Sequence, residues 1–256
     1  MELSFEIILL CFIAFLAGFV DAIVGGGGLL QTPAGLILLP QYPVATVIGT
    51  LKIPAFSGTS FAAIQYARRV KLNYKLLAVM SAIAFSAAFA GSSLLNAVSN
   101  HFMKPFLLIV LILVAVYTYT NKNFGVHTIK EHTVKEQWRY SIIISLVIGF
   151  YDGFIGPGAG SFLVLAFIVL MGFDFLLASA NAKFVNMATN LGSIVFFVIK
   201  GQIIYSIALP MAICNALGGI LGARLAILKG NNFIRLFFLV IICITILRFA
   251  YDVFFR

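Results

Sequence analysis

Charged residues are scarce in this chain: Asp, Glu, Lys and Arg together make up 10% of its 256 residues. The sequence also contains only one Trp, three Cys and three His. In place of charge, 62% of the residues are hydrophobic, including 26 Phe. A soluble domain of this size cannot bury so much apolar surface, whereas lipid can solvate it. The composition therefore predicts an integral membrane protein.

Motifs of catalysis and of ATP use are also missing. The sequence has no Gly-x4-Gly-Lys-Ser/Thr loop, which would bind ATP phosphates, and no HExxH pair of zinc ligands. Cys11, Cys214 and Cys243 lie inside apolar stretches without metal-ligand spacing, so we expect them to pack rather than to bind a metal. We therefore expect neither an enzyme nor a cofactor, and uphill transport would have to draw on an ion gradient.

The apolar residues form long, continuous runs. An outer-membrane β-barrel would instead show short stretches of alternating polarity, so the runs predict an all-α, polytopic helical protein. They lie at 5–39, 44–67, 73–96, 102–120, 140–171, 174–199, 203–228 and 233–255.

The formal net charge of +9 is concentrated in short segments between these runs. Arg68, Arg69, Lys71 and Lys75 form one basic cluster, and the segment 121–139 carries another. Short basic loops are typical of the cytoplasmic connections of membrane proteins. We therefore expect the protein to contact the lipid bilayer and not to bind nucleic acid.

The two halves of the chain share a pattern of residues in one constant register. A shift of 131 positions aligns Gly18 with Gly149, and this register holds without a gap as far as Phe102. The aligned pairs include Asp21 with Asp152, Gly25 with Gly156, Gly27 with Gly158, Lys52 with Lys183, Met80 with Met211 and Gly91 with Gly222. Chance rarely keeps one register while matching rare buried charges, so we infer an internal repeat. We place a transmembrane repeat at 1–120, a basic cytoplasmic linker at 121–139 and a second repeat at 140–256.

The first run of each half is too long and too rich in glycine for one straight helix. Residues 5–39 would extend about 50 Å, against a hydrocarbon core of about 30 Å. Gly25 to Gly28 stand at the centre of this run, and 156–160 (Gly-Pro-Gly-Ala-Gly) occupy the matching place. Glycine and proline disfavour helix interiors, so each element should break there.

The form of the break decides how the halves are related. If each broken element is a hairpin, the halves are inverted repeats, whereas a kinked helix that still spans the membrane makes them parallel. The charges of the loops support both arrangements equally. We expect inverted repeats, because a straight element would be too long and because transporters with broken helices often use them.

Ionisable side chains at membrane depth mark candidate functional positions. Lys52 and Lys183 place one positive charge in each half, close to breaks where helix starts expose backbone N–H groups. This combination is suited to holding an anion. Asn186 and Asn190 follow Lys183 by three and seven positions, on the same face of a helix, and add hydrogen-bond donors. The candidate substrate-binding residues are Lys52, Lys183, Asn186, Asn190, Gly25, Gly26, Gly27, Gly156 and Gly158.

Asp21 and Asp152 are candidate coupling or gating residues, since they are the carboxylates expected at membrane depth. A coupling ion, proton or sodium, would act there. The structural alternative pairs Lys52 with Asp21 and Lys183 with Asp152 inside each half. Separate structural alternatives are that the glycines serve close helix packing and that the asparagines hydrogen-bond between neighbouring helices.

These motifs resemble the sulfite exporter TauE/SafE family. The resemblance rests on 17–28 (Ala-Gly-Phe-Val-Asp-Ala-Ile-Val-Gly-Gly-Gly-Gly), on Gly49-Thr50-Leu51-Lys52, and on their counterparts at 149–160 and Asn181-Ala182-Lys183. It covers almost the whole chain, although Leu51 and Pro54 depart from the usual pattern around the lysine. The resemblance implies a multi-pass transporter of the inner or plasma membrane that exports sulfite, sulfoacetate or related anions. It also adds Thr50 and Asn181 to the candidate substrate-binding residues.

Together these features predict a secondary transporter of small anions, an exporter of sulfite or organosulfonate-type anions driven by an ion gradient. An anion channel and a transporter of small carboxylates are the alternatives. A homodimer is compatible with a transporter of this size.

Overall fold

The computed structural model describes residues 2–99 and 133–255, which are almost entirely helical. The first half contributes α1 (Glu2–Val24), α2 (Gly27–Leu38), α3 (Val44–Ala67) and α4 (Tyr74–Ala97). The second half contributes α5 (Val134–Phe154), α6 (Ala159–Met171), α7 (Phe175–Ile199) and α8 (Tyr205–Phe255). The two parts of α8 meet at Gly230, whose backbone is not helical. No strand occurs in these two ranges, and the predicted all-α class is confirmed.

Within residues 2–99 and 133–255, five helical segments are long and apolar enough to cross a membrane. They are Phe5–Val24, Val44–Ala67, Tyr74–Ala97, Phe175–Ile199 and Tyr205–Gly230. The helices α2 and α6 have only 12 and 13 residues, about 20 Å at 1.5 Å per residue. Each is therefore too short to cross a hydrocarbon core of about 30 Å.

The chain outside the described ranges includes two sequence-based assignments. The apolar run at 102–120 and most of the linker at 121–139 lie there, so the repeat boundaries at 120 and 140 stay predictions.

The fifth helix begins at Val134, several residues before the apolar run at 140–171. Thr133 and Glu136 form a capping box there, in which each side chain bonds the other residue's backbone N–H, so polar residues start this helix.

Both long elements break at their glycines, as predicted. Helix α1 ends at Val24 and Gly25 has φ +83°, while α5 ends at Phe154 and the following Gly156 has φ +90°. These values lie in the left-handed region, which glycine adopts without the steric cost of a side chain. The breaks are therefore fixed by the residue type that the sequence puts there.

Each break is a hairpin, in which the short helix returns along the long one. A Cβ atom on Gly27 would lie 2.5 Å from the carbonyl oxygen of Ala17, so α2 starts directly against α1. Farther along, Leu39 packs in one apolar cluster with Leu10 of α1. In the second half, Phe167 and Met171 of α6 pack with Ile144 of α5 in the same way.

The same close helix contact occurs once on each side of the molecule. A Cβ atom on Gly91 of α4 would lie 2.2 Å from the carbonyl oxygen of Phe150 in α5. At the positions equivalent in the repeat, a Cβ atom on Gly222 of α8 would lie 2.3 Å from the carbonyl oxygen of Phe19 in α1. Both contacts join one half to the other, so the two repeats are interleaved rather than side by side.

Candidate functional site

The two hairpin tips meet at the centre of the molecule. A Cβ atom on Gly25 would lie 2.2 Å from the carbonyl carbon of Gly160, and one on Gly28 would lie 3.3 Å from the Cα of Pro157. The hydroxyl of Ser161 donates to the carbonyl of Val24 over 3.2 Å. Only residues without side chains allow this approach, so the glycines bring the broken ends of both halves to one place.

A cavity of about 60 Å³ lies at this junction. Residues from both halves line it, including the helix starts at Gly27, Gly28, Gly158 and Gly160. At about 10–15 Å³ for each water, such a volume has room for a handful of water-sized groups. The site is therefore the size of a small polar ligand.

Lys52 and Asp152 form the first ion pair of the site. The Lys52 Nζ lies 2.8 Å from Asp152 Oδ1 and donates to the Asp152 carbonyl oxygen over 2.7 Å. The second carboxylate oxygen, Oδ2, accepts from the hydroxyl of Thr189. Both charged side chains line the cavity, with exposed fractions of only 7% and 5%.

Lys183 and Asp21 form the second ion pair. The Lys183 Nζ lies 3.0 Å from Asp21 Oδ2 and also donates to the Asp21 carbonyl oxygen. Asp21 Oδ2 accepts from the hydroxyl of Thr59 over 3.3 Å. Asp21 lines the cavity and its side chain is 15% exposed, whereas Lys183 is 0% exposed and does not reach the cavity.

The ion pairs connect the two halves, so the alternative of pairs within each half is wrong. Each aspartate receives a lysine from the other half and a threonine from its own. The reason is the interleaving of the repeats, which places the end of α5 next to α3 and the end of α1 next to α7. The crossed pairs therefore hold the two halves together at their centre.

The ammonium group of each lysine also lies against the C-terminal end of a helix from the other half. Asp21 and Asp152 stand in the last turns of α1 and α5, and the C-terminal end of a helix carries partial negative charge. A lysine ammonium that bonds both the carboxylate and the carbonyl of the same aspartate is favourably placed there. The four charged groups together carry no net charge.

Neutral polar groups complete the lining from the second half. Asn186 and Asn190 line the cavity, as the helical spacing predicted. The Asn190 amide nitrogen donates to the Asn186 carbonyl over 2.9 Å. Neither the Asn186 amide nitrogen nor the Asn190 amide oxygen has a partner in the described part of the chain. One donor and one acceptor thus remain open to a ligand.

Three polar residues of the site were missed by sequence reasoning. Gln31, Thr32 and Asn215 line the cavity. The Gln31 amide donates to the carbonyl of Leu51 over 2.9 Å and accepts from the Asn215 amide over 2.9 Å. They are isolated polar residues in apolar runs, and that isolation is the signal that identifies them, since a lone amide in a membrane helix needs a partner.

Four of the candidate residues lie away from the cavity. Thr50 donates its hydroxyl to Thr46 O and accepts from Ile204 N, so it joins α3 to the start of α8. The amide of Asn181 donates to Leu177 O on its own helix. Gly26 precedes α2 as its N-cap, and Lys183 lies behind Asp21. The other candidates, Lys52, Asn186, Asn190, Gly25, Gly27, Gly156, Gly158, Asp21 and Asp152, line the cavity.

Comparisons with known proteins give a consistent result. The chain matches the profile of the family described as sulfite exporter TauE/SafE over residues 10–249. It is 34% identical over 235 residues to the probable membrane transporter protein ORF9 of Sinorhizobium sp, covering 91% of this chain and 88% of that one. It is 32% identical over 245 residues to the probable membrane transporter protein YfcA of Escherichia coli (strain K12), covering 95% and 89%. A probable membrane transporter protein of Haemophilus influenzae is 30% identical over 253 residues, 98% of each chain. No solved structure gives a significant match.

Proposed function

Because this chain belongs to the sulfite exporter TauE/SafE family of membrane transporters, we propose that it is a secondary transporter of small oxyanions, with the central cavity as the substrate site. In this proposal the cargo is sulfite or an organosulfonate-type anion, and the gradient of a coupling ion together with that of the cargo sets the direction, which is export where the anion accumulates inside. The inner or plasma membrane is the proposed location.

The observation that supports an anionic cargo most directly is the pair of helix starts in the cavity. The N–H groups of Gly27, Gly28 and Gly160 donate to no backbone carbonyl of the described residues. Unpaired N–H groups at a helix start carry partial positive charge and bind anions. Two such starts facing one cavity from opposite halves form the type of site that discontinuous helices give to transporters.

Lys52 supplies the full positive charge that faces the anion in this proposal. Its ammonium lines the cavity, whereas that of Lys183 is covered by Asp21. The amide of Asn186 and the hydroxyl of Thr32, which has no partner in the described ranges, are free to donate to oxyanion oxygens. We therefore assign direct substrate contact to Lys52 and Asn186, and a supporting role to Lys183.

The volume of the cavity favours the smallest members of the proposed class. Sulfite and acetate each have four non-hydrogen atoms, which matches a cavity of about 60 Å³ at about 10–15 Å³ per water-sized group. Sulfoacetate is about twice as large and would require the cavity to open. A carrier of small carboxylates is therefore the alternative closest in chemistry.

We also propose that the halves are inverted repeats. Leu10 of α1 clusters with Val47 early in α3, and Ala22 accepts a hydrogen bond from Tyr66 late in α3, which supports α1 running along α3. By the same reasoning, Leu77 early in α4 clusters with Ile144 midway along α5. Ser92 late in α4 donates to the carbonyl of Gly153 near the end of α5, which supports α5 running along α4 in the same direction. A short loop joins α3 to α4, so these helices, and with them α1 and α5, run in opposite senses.

Chemical labelling tests this arrangement. Cysteines introduced as Gln41→Cys, between α2 and α3, and Phe173→Cys, between α6 and α7, should react with an impermeant maleimide from opposite sides of the membrane. Reaction of both from one side would contradict inverted repeats.

Flux measurements in proteoliposomes test the transport function. Labelled sulfite, sulfoacetate and acetate are compared at fixed ion gradients in the wild type and in Lys52→Ala and Asn186→Ala. We expect saturable sulfite flux, its loss in Lys52→Ala, and a KM raised about tenfold in Asn186→Ala, the cost of one hydrogen bond to a charged group. Ser193→Ala is the matched control, because Ser193 is a buried polar residue of the same helix that does not line the cavity.

The same measurements separate the alternatives. Flux that rises linearly with concentration would indicate a channel, and preference for acetate would indicate a carboxylate carrier. An equal effect of Asn186→Ala and Ser193→Ala would remove the cavity as the substrate site.

A further inference from the structure

The two aspartates of the site are equivalent in the repeat but differ in how fully their oxygens are bonded. Both carboxylate oxygens of Asp152 are occupied, one by Lys52 and one by Thr189. In Asp21, Oδ2 binds both Lys183 and Thr59, and Oδ1 has no hydrogen-bond partner in the described residues. The side chain of Asp21 is 15% exposed and lines the cavity. One carboxylate oxygen therefore faces the proposed substrate site without a donor.

An anion in this cavity meets an unfavourable charge. The two lysines and two aspartates cancel, so a bound anion would leave an uncompensated negative charge in a site of low dielectric constant. The open oxygen of Asp21 would be among its nearest neighbours. A proton on that oxygen removes the repulsion and restores neutrality when a monoanion enters.

We propose that Asp21 is the proton-binding residue of this transporter, and that one proton binds at its open oxygen together with the substrate anion. This inference rests on the proposed transport function. Asp152, whose oxygens are both occupied, is a structural partner of Lys52 and does not exchange protons during transport. By linkage, the anion raises the affinity for the proton as much as the proton raises that for the anion.

Four ionisable groups of the described residues surround Asp21. Lys183 of α7 holds the bonded oxygen, Tyr66 of α3 lies close by, and Lys52 and Asp152 stand across the cavity. The sides of the cavity formed by α2, α6 and α8 present neutral residues within the described ranges. Asp21 is thus the only group there that combines a negative charge with an open oxygen.

A proton fits this site better than a sodium ion. A hard metal cation needs about six oxygen ligands, whereas a proton needs only one, and Asp21 Oδ1 is a single open carboxylate oxygen in the described lining. A proton occupies no additional volume. Coupling to sodium is therefore an outcome that would count against the proposal.

Methanesulfonate is a suitable probe, because it stays a monoanion at neutral pH and so any proton taken up belongs to the protein. Wild-type protein is reconstituted in sodium-free proteoliposomes with the membrane potential clamped at zero. With the outside one pH unit more acidic, we expect labelled methanesulfonate to accumulate up to about tenfold, the limit for one proton per anion. A pH-sensitive dye should also report proton uptake when methanesulfonate binds to detergent-solubilised wild type, a measurement that needs no variant.

Three variants sharpen the test. Asp21→Asn resembles the protonated residue, so it should lose accumulation driven by the pH gradient while still exchanging labelled for unlabelled methanesulfonate. Asp21→Glu retains a carboxyl group and should recover pH-driven accumulation. Ser193→Ala, at a buried position of α7 that does not line the cavity, is the control and should keep the pH-driven accumulation.

The outcomes separate this proposal from the one on which it rests. Saturable flux that ignores the pH gradient, that follows sodium, or that remains proton-driven in Asp21→Asn overturns the role of Asp21 and leaves the transporter standing. Anion binding that releases protons, as in an antiporter, also overturns it. No saturable flux of sulfite, acetate or methanesulfonate in folded wild type removes the transport proposal and this inference with it.

Discussion

The two halves of this protein share a scaffold but not a chemistry. Each half has a helix hairpin, a lysine and an aspartate at equivalent positions, and each lysine binds the aspartate of the other half. Yet Lys52 faces the cavity, while Lys183 is 0% exposed. Duplication has supplied a symmetric frame, and divergence has left one lysine at the cavity and one buried behind Asp21.

The neutral side chains follow the same division. Gln31 and Thr32 of α2 line the cavity, whereas the equivalent positions of α6 are Phe162 and Leu163. In the opposite sense, Asn186 of α7 corresponds to Ala55 of α3. Each half thus provides polar groups where the other provides apolar ones. The lining of the cavity is therefore asymmetric although the chain is an internal repeat.

The largest expected effects follow the loss of either buried lysine. Lys183→Met should lower the free energy of unfolding by about 3–5 kcal/mol, because it leaves Asp21 charged in a buried site without its cation. Lys52→Met should cost at least as much, since the aspartate it leaves unpaired, Asp152, is only 5% exposed, against 15% for Asp21. Thermal unfolding of the detergent-solubilised protein measures both, with the height of the folded-protein peak in size-exclusion chromatography as the readout.

Double variants test which aspartate each lysine serves. Lys183→Met combined with Asp21→Asn should recover most of the lost stability, because neither charge then remains unpaired. Lys183→Met combined with Asp152→Asn should be less stable than either single variant, since it breaks both pairs. The reverse pattern would show that the ion pairs form within each half.

A smaller effect should distinguish the two equivalent break glycines. Gly25 and Gly156 both have positive φ, but a Cβ atom on Gly25 would lie 2.2 Å from backbone of Gly160, while the nearest atom to one on Gly156 is 3.4 Å away. Gly25→Ala should therefore cost about 2–4 kcal/mol, from strain and overpacking together, and Gly156→Ala about 1–2 kcal/mol from strain alone.

The control for backbone strain is Gly201→Ala. Gly201 has φ +65° and open space around it, so only the conformational cost remains. Its unfolding temperature should shift about as much as that of Gly156→Ala. Equal losses in Gly25→Ala and Gly156→Ala would mean that the hairpin tips do not touch as closely as described.

Glycine runs, helical spacing and the internal repeat predict much of this architecture from the sequence. The glycine runs fixed the helix breaks, since few residues other than Gly adopt the positive φ found at Gly25 and Gly156. Helical spacing placed Asn186 and Asn190 on one face, and repeat alignment identified both aspartates and both lysines. Each of these inferences depends on a short stretch of chain or on comparison of the chain with itself.

The partners of the charged residues were beyond such rules. Whether Lys52 meets Asp21 or Asp152 depends on how two long hairpins interleave, and no local pattern encodes that. The same limit applies to Asn215, whose amide meets Gln31 from a distant part of the chain. Helical spacing also predicted that Lys183 shares the cavity surface with Asn186, and this was wrong. Spacing along α7 does not reveal that Asp21, from another helix, covers the lysine.

The smallest expected effect compares the two threonines that bind the aspartates. Thr189 is fully buried and donates to Asp152 Oδ2, whose carboxylate is 5% exposed, so Thr189→Val leaves an oxygen that water cannot easily reach. The expected cost is about 1.5–3 kcal/mol, the range for a hydrogen bond to a charged group. Thr59 donates over 3.3 Å to Asp21, which is 15% exposed, so Thr59→Val should cost only about 0.5 kcal/mol. In a protein of this size the difference corresponds to an unfolding temperature several degrees lower for Thr189→Val, at about 2–4 °C per kcal/mol. Equal shifts would mean that Asp21 is as tightly held as Asp152, and would weaken the case for an open oxygen on Asp21.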